Sequence, residues 1–223
     1  MRRLNFLVSG ENPLVLDASA VINLCASKAS AEILRALRRP LTVVHQAANE
    51  LTCDRRTGRN DGHILTTLVA EGLVEIATLG EQEGDIFAEL TIGPATETLD
   101  DGEAATIAHA VARRSIAIVD ERKALQICGR RYPTMLTGST VDIFAHNAVL
   151  DALGIDGLRD AVVNALVFAR MRVPLNHVDW VFELIGEERA LECPSLPRGT
   201  RMRTTARNEL AGTRRGVGQD TKL

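Results

Sequence analysis

Residues 12–25 read NPLVLDASAVINLC. A short apolar run, Leu14 to Leu16, stops at Asp17. A hydroxyl follows at Ser19, and then a new apolar stretch begins. An apolar run without alternation describes a strand buried on both faces, as in a parallel sheet. A carboxylate just past its end lies at the edge where open α/β sheets bind their ligands.

The pattern continues outward from that stretch. ASAVINLCASKASAEILRALRR (18–39) has helical spacing, in two pieces, and Pro40 stops it. LTVV (41–44) is a second β-rich run, and HQAANEL (45–51) turns back to helix. RRTGRNDG (55–62) is a polar loop, HILTTLVAEG (63–72) a helix and LVEIATL (73–79) a strand. Residues 79–99 read as irregular, with room for one short element. DDGEAATIAHAVARR (100–114) is a helix, with Ala104, Ile107, Ala108 and Val111 on one face. SIAIV (115–119) is a strand, and DERKALQICGRR (120–131) a helix ending at its Gly. PTML (133–136) is a weak strand, and STVDIFAHNAVLDALG (139–154) a helix. Two further helical stretches follow, at 155–172 and 175–189. Strands and helices alternate, which predicts an α/β fold with a parallel sheet covered on both faces.

Composition narrows the function. The 223 residues are 45% hydrophobic, enough for one domain with a real core, but only 3% aromatic. So few rings argue against a nucleic-acid platform of stacked aromatics and against a sugar site. Four widely spaced cysteines (Cys25, Cys53, Cys128, Cys193) form no CxxC pair, which excludes the usual zinc patterns. The opening residues lack the apolar length of a signal peptide, and no run is long enough to span a membrane. The expectation is a soluble cytoplasmic protein with reduced thiols and no membrane partner. From Arg198 onward, six Arg and one Lys face Glu209 and Asp220, a net +5 on an overall −3, leaving −8 on the rest. An acidic body is not a nucleic-acid binder by bulk charge. It can concentrate its acids in a metal site.

Four carboxylates recur at element ends. Asp17 follows the first strand, and Glu50 sits in the helix after the second. Glu103 lies in the first turn of the helix at Asp100, and Asp120 follows SIAIV. Each has a plain structural reading. Asp17 and Asp120 are good helix N-caps, Asp100 with Glu103 has capping-box spacing, and Glu50 fits an exposed helix surface. The order and edge they share favour function. Carboxylates gathered in one cleft repel unless protonated or neutralised. Oxygen-only donors with no neighbouring His or Cys suit Mg²⁺ or Mn²⁺. There is no GxGxxG, P-loop or GxSxG motif. A phosphatase nucleophile strand would want a second Asp where Ser19 stands.

These residues resemble the PIN-domain family. VLDASAVINL is similar to its opening motif, LTVVHQAANEL to its second strand and helix, and LDDGEAATIAHA to the GE helix of a subgroup. SIAIVDERKA is similar to its acidic strand end, and TMLTGSTVDIFAHNAV to its later strand and helix. VPLNHVDWVFELIGEE resembles a helical extension that follows some members. The resemblance implies a three-layer α/β/α fold with a mostly parallel central sheet. The implied layout is a nuclease domain over 1–151 and a helical extension packed on it over 152–190; the Arg-, Thr- and Gly-rich composition after Pro194 predicts a disordered basic tail over 191–223.

It also implies a metal-dependent endoribonuclease, the toxin of a VapC-type, type II toxin–antitoxin pair. Its partners would be RNA and an antitoxin protein, and by analogy it would form a homodimer. In that reading Asp17, Glu50, Glu103 and Asp120 hold Mg²⁺ or Mn²⁺. A metal-activated water cleaves RNA to a 5′-phosphate and a 3′-hydroxyl. Ser19 orients Asp17 or that water. Asp101 is the neighbouring alternative to Glu103, and Glu121 the alternative to Asp120. Arg55, Arg56, Arg59, Arg122 and Lys123 are the candidates for guiding RNA to an acidic body. The competing reading is a PIN-fold binding or regulatory module without catalysis.

Overall fold

The computed structural model describes residues 12–52 and 57–196. Five short strands, β1 (Leu14–Leu16), β2 (Leu41–Val44), β3 (Glu75–Ala77), β4 (Ile116–Ile118) and β5 (Thr137–Gly138), form one sheet in the order β3-β2-β1-β4-β5. Every neighbouring pair is parallel. β1 is the centre. Leu14 pairs with Leu41 on one side and Ile116 on the other. All residues of β1, β2 and β4 are buried, which is why these runs are apolar without alternation.

The first connections are α1 (Ala18–Ala26), α2 (Ser30–Leu37), α3 (His45–Asn49) and α4 (Asp61–Ala70). They carry the chain from β1 through β2 to the β3 edge. α5 (Glu81–Thr91) and α6 (Asp101–Arg113) carry it back across to β4, and α7 (Arg122–Arg131) leads to β5. α1 packs against α4 and α5 against α6, while α3 also packs against α6. α6 lies against β1, β2 and β4. Its inner face is Ala104, Ala105, Ile107, Ala108 and Ala110, all buried. Such small side chains let the helix come close to the sheet.

α8 (Thr140–Phe144) and α9 (Asn147–Asn164) follow β5. α9 packs on α2, and its backbone breaks at Gly154 (φ 67). A π-helical turn (Ala165–Ala169), a 3₁₀ turn (Leu175–His177) and α10 (Val178–Leu191) complete the described chain. The tie between this segment and the sheet domain is buried. His177 Nε2 donates to Asp142 Oδ1 of α8 at 2.9 Å, while the Ser139 amide and hydroxyl donate to Oδ2 at 2.8 and 2.7 Å. Burial alone would push the Asp142 carboxyl up, but these bonds outweigh it and hold it below its usual value.

The α/β class and the parallel sheet match the reading from sequence, and four local readings differ. Residues 81–91, expected to be irregular, form an eleven-residue helix. The last strand is Thr137–Gly138 rather than 133–136. The expected single helix over 139–154 is two, separated at Ala145–His146. Gly129 lies inside α7, which runs on to Arg131. Of the expected tail, Cys193 and Leu196 are buried, and residues 197–223 lie outside the described residues. Arg55 and Arg56 also lie outside them. Among the described residues no helix is long and apolar enough to cross a membrane.

Candidate active site

The strand order reverses between β1 and β4, and ligand crevices in open α/β sheets form outside the carboxyl ends at such a point. Asp17 follows β1 directly, and Asp120 follows β4 by two residues. A pocket of about 340 Å³ opens there. It is lined by six carboxylates: Asp17, Glu50, Asp100, Glu103, Asp120 and Glu121.

Local folding fixes four of them. The Asp17 amide extends the ladder to the Ile118 carbonyl, and its side chain caps α1. The Ser19 hydroxyl donates to Asp17 Oδ2 at 2.7 Å, and the Ser19 amide at 3.3 Å. Asp17 Oδ1 is buried and accepts no hydrogen bond. Asp120 is tied instead. Asn23 Nδ2 donates to its Oδ2 at 2.7 Å, the Thr140 amide to Oδ1 at 2.8 Å, and the Thr140 hydroxyl to Oδ2. Asp100 caps α6 by accepting the Glu103 amide at 2.9 Å. Glu50, just past α3, accepts the Gly102 amide at 2.9 Å. A Cβ at position 102 would stand 2.3 Å from Glu50 Oε1, so only glycine permits this approach.

The charges push one another's proton affinity upward. Burial raises Asp17, with the Asp100 charge adding and the Ser19 bonds opposing. Burial raises Glu50, helped by Asp100 and Asp17. Glu103 is pushed up to about 7, first by burial and then by Asp100, Asp17 and Glu121, against the pull of Lys123. Burial also raises Asp120 above its ordinary value, against its Thr140 and Asn23 bonds. Such a site gains from a cation or a proton.

The structure therefore brings together Asp17, Ser19, Glu50, Glu103, Asp120 and Glu121. Asp101 is exposed in the first turn of α6 and does not line the pocket. Arg122 and Lys123 are exposed at the start of α7. Arg59 is drawn against Asp61, donating from Nη2 at 3.1 Å, beside a different cavity that holds Cys25 and Phe168. The reading from sequence missed Asn23 and Thr140, which hold Asp120, and Arg170 and Arg172, which line the same pocket. No spacing signal could have found them. Asn23 and Asp120 are 97 residues apart, and Arg170 comes from beyond the sheet domain.

Among the described residues no group of three or more His, Cys, Asp or Glu side chains is gathered closely enough to hold a metal ion as it stands. The donor chemistry still fits a hard cation. The donors are all oxygens, and one buried carboxylate oxygen of Asp17 has no partner. Mg²⁺ asks for only one or two carboxylates and keeps several waters. Asp17, with Glu50, Glu103 and Asp120 around it, is the set that would hold such an ion.

Comparison with known proteins gives one positive result. No curated protein and no solved structure matches the chain. A family model described as a PIN domain matches residues 13–141, more than half of the 223 residues. That span runs from β1 to the start of α8 and contains every carboxylate of the pocket, and the chain belongs to the PIN-domain family.

Proposed function

We propose that the chain is a Mg²⁺- or Mn²⁺-dependent endoribonuclease, with its reaction centre in the acidic pocket at the ends of β1 and β4. The observation that carries this reading is the buried, unpartnered Oδ1 of Asp17 at the switch point, in a pocket lined by five further carboxylates. PIN domains are in general nucleases that use divalent metals. When bound, the cation supplies charge neutralisation and lowers the pKa of water at the phosphodiester.

The chain's own residues do the rest. Ser19 fixes Asp17 through Oδ2 and leaves Oδ1 for ligation. Gly102 holds Glu50, and the Asp100 cap sets the first turn that carries Glu103. Glu103, held up near 7 in the cation-free pocket by burial and its acidic neighbours, would be ionised by a bound cation and serve it as an oxygen donor. Asn23 and Thr140 hold Asp120 in the pocket lining. In-line attack of water would leave a 5′-phosphate and a 3′-hydroxyl.

A second reading, a PIN-fold binding module without catalysis, is favoured by two observations. Both Asp120 oxygens are already engaged by protein donors, and no ready-made metal cage exists among the described residues. One experiment separates them. An end-labelled mixed RNA pool is incubated with wild type and Mn²⁺, with wild type and EDTA, and with Asp17→Asn and Mn²⁺. The expected result is cleavage in the first lane only, with the variant folded by circular dichroism and slower by more than about 100-fold. No cleavage together with no Mn²⁺ binding overturns the nuclease. The toxin role, an antitoxin partner and a homodimer rest on the family resemblance. Growth arrest on expression, relieved by co-expressing a neighbouring small reading frame, is the outcome the toxin role requires.

A further inference from the structure

We propose that Arg170 and Arg172 bind a backbone phosphate of the RNA at the acidic pocket, so that the segment after the family-matched domain completes the substrate site. The proposal rests on the ribonuclease reading above. Six carboxylates line the pocket, and an approaching phosphate meets their repulsion unless cations are built into the wall. Among the lining residues those cations are Arg170 and Arg172, and both lie well beyond residue 141.

Their placement is built rather than incidental. The π-helical turn ends at Arg170, and the amides of Arg170 and Met171 both donate to the Ala165 carbonyl. Met171, between the two arginines, is 1% exposed and belongs to the core. The buried methionine pins the turn, and its two neighbours line the pocket as exposed residues. The left-handed conformation of Arg170 (φ 56) is not itself the signal. Arg38 and Arg114 end helices the same way. What distinguishes Arg170 is the pocket it lines.

The guanidinium groups retain donors for a phosphate. Arg172 Nη1 lies 2.7 Å from Glu121 Oε2, yet its side chain is 61% exposed. That ion pair engages one carboxylate oxygen and leaves over N–H donors of the guanidinium's five. No hydrogen bond or ion pair ties the Arg170 side chain among the described residues. Planar forked donors suit phosphate oxygens. They read no base, so the contact is independent of sequence.

The test is binding of a fluorescein-labelled oligouridylate, followed by anisotropy across a salt series, with Ca²⁺ replacing Mn²⁺, alongside Mn²⁺-dependent cleavage. Arg170→Ala and Arg172→Ala are expected to weaken binding about tenfold each. Each should also lower the slope of log affinity against log salt by about 0.7. Mn²⁺ binding, read by electron paramagnetic resonance, should be as tight or tighter, and the melting temperature should change little. Glu121→Gln separates recognition from a structural latch. It frees Arg172 and removes a negative charge, so RNA should bind as well or better. Weakening by Glu121→Gln equal to that of Arg172→Ala overturns the proposal. So do unchanged affinity, salt slope and cleavage in the Arg170→Ala/Arg172→Ala double variant of a protein that cleaves RNA, an outcome that leaves the nuclease intact. A wild type that neither binds nor cleaves RNA overturns both.

Discussion

Gly102 shows how much of the site depends on one missing methyl group. Its amide holds Glu50, and its lack of a Cβ lets the carboxylate approach. Gly102→Ala would place carbon 2.3 Å from Glu50 Oε1, so the glutamate must leave. The displaced atoms are the end of a flexible side chain at the pocket wall, so folding stability should change by less than about 1 kcal/mol. Metal affinity and cleavage should instead fall by about tenfold or more, as for other losses of ligand positioning. Isothermal titration with Mn²⁺ and a thermal melt on the same variant check both halves. Equal losses of stability and affinity would assign Gly102 to packing. At this scale the carboxylates were legible, because an Asp ending an apolar run contradicts its surroundings. Asn23 and Thr140 were not. An Asn on a helix and a Thr at a helix start are ordinary until the fold brings them to Asp120.

Elements were legible where burial follows one rule and illegible where it does not. β1, β2 and β4 are buried throughout, so three or four apolar residues announced them. α5 was missed because its fully buried positions are Leu90 and a charged residue, Glu83, which breaks the apolar period. Glu83 is there to take the Gly80 amide and to accept Arg113 Nε from α6 at 2.9 Å. β5 was misplaced because its apolar neighbours belong to a turn. The Met135 amide returns to the Tyr132 carbonyl, and Leu136 is 51% exposed. The α8–α10 tie makes a prediction at the same scale. His177→Ala removes a buried hydrogen bond to an ionised carboxylate, at a cost of about 1–3 kcal/mol. The loss should appear as faster hydrogen exchange in α10 and the 3₁₀ turn before it, with the sheet amides still protected. Uniform loss of protection would mean that the extension and the sheet domain unfold as one unit.

The whole molecule carries the consequence of packing like charges at the end of its sheet. Asp17, Glu50, Glu103 and Asp120 all bind protons more tightly when folded than when unfolded. For Glu103 the change is from 4.5 to about 7. Between those values the unfolded chain has released the proton and the folded chain keeps it. Rising pH therefore lowers the stability of the cation-free protein, by up to about 3 kcal/mol for this one group. Asp142 and Glu83 act in the opposite sense. Their carboxyls are held low, so their contribution is lost only as pH falls below the ordinary carboxylate range. The cation-free protein should accordingly be most stable in mild acid. In EDTA its melting temperature should fall by several degrees from about pH 5.5 to about pH 7.5. Glu103→Gln should reduce that slope, since the amide is neutral at either pH. Mn²⁺ should raise the melting temperature far more at the higher pH, because a cation binds the ionised pocket and competes with protons for the protonated one. A slope unchanged in Glu103→Gln would remove Glu103 as a source of the strain. Equal stabilisation by Mn²⁺ at both pH values would detach ion binding from these carboxylates.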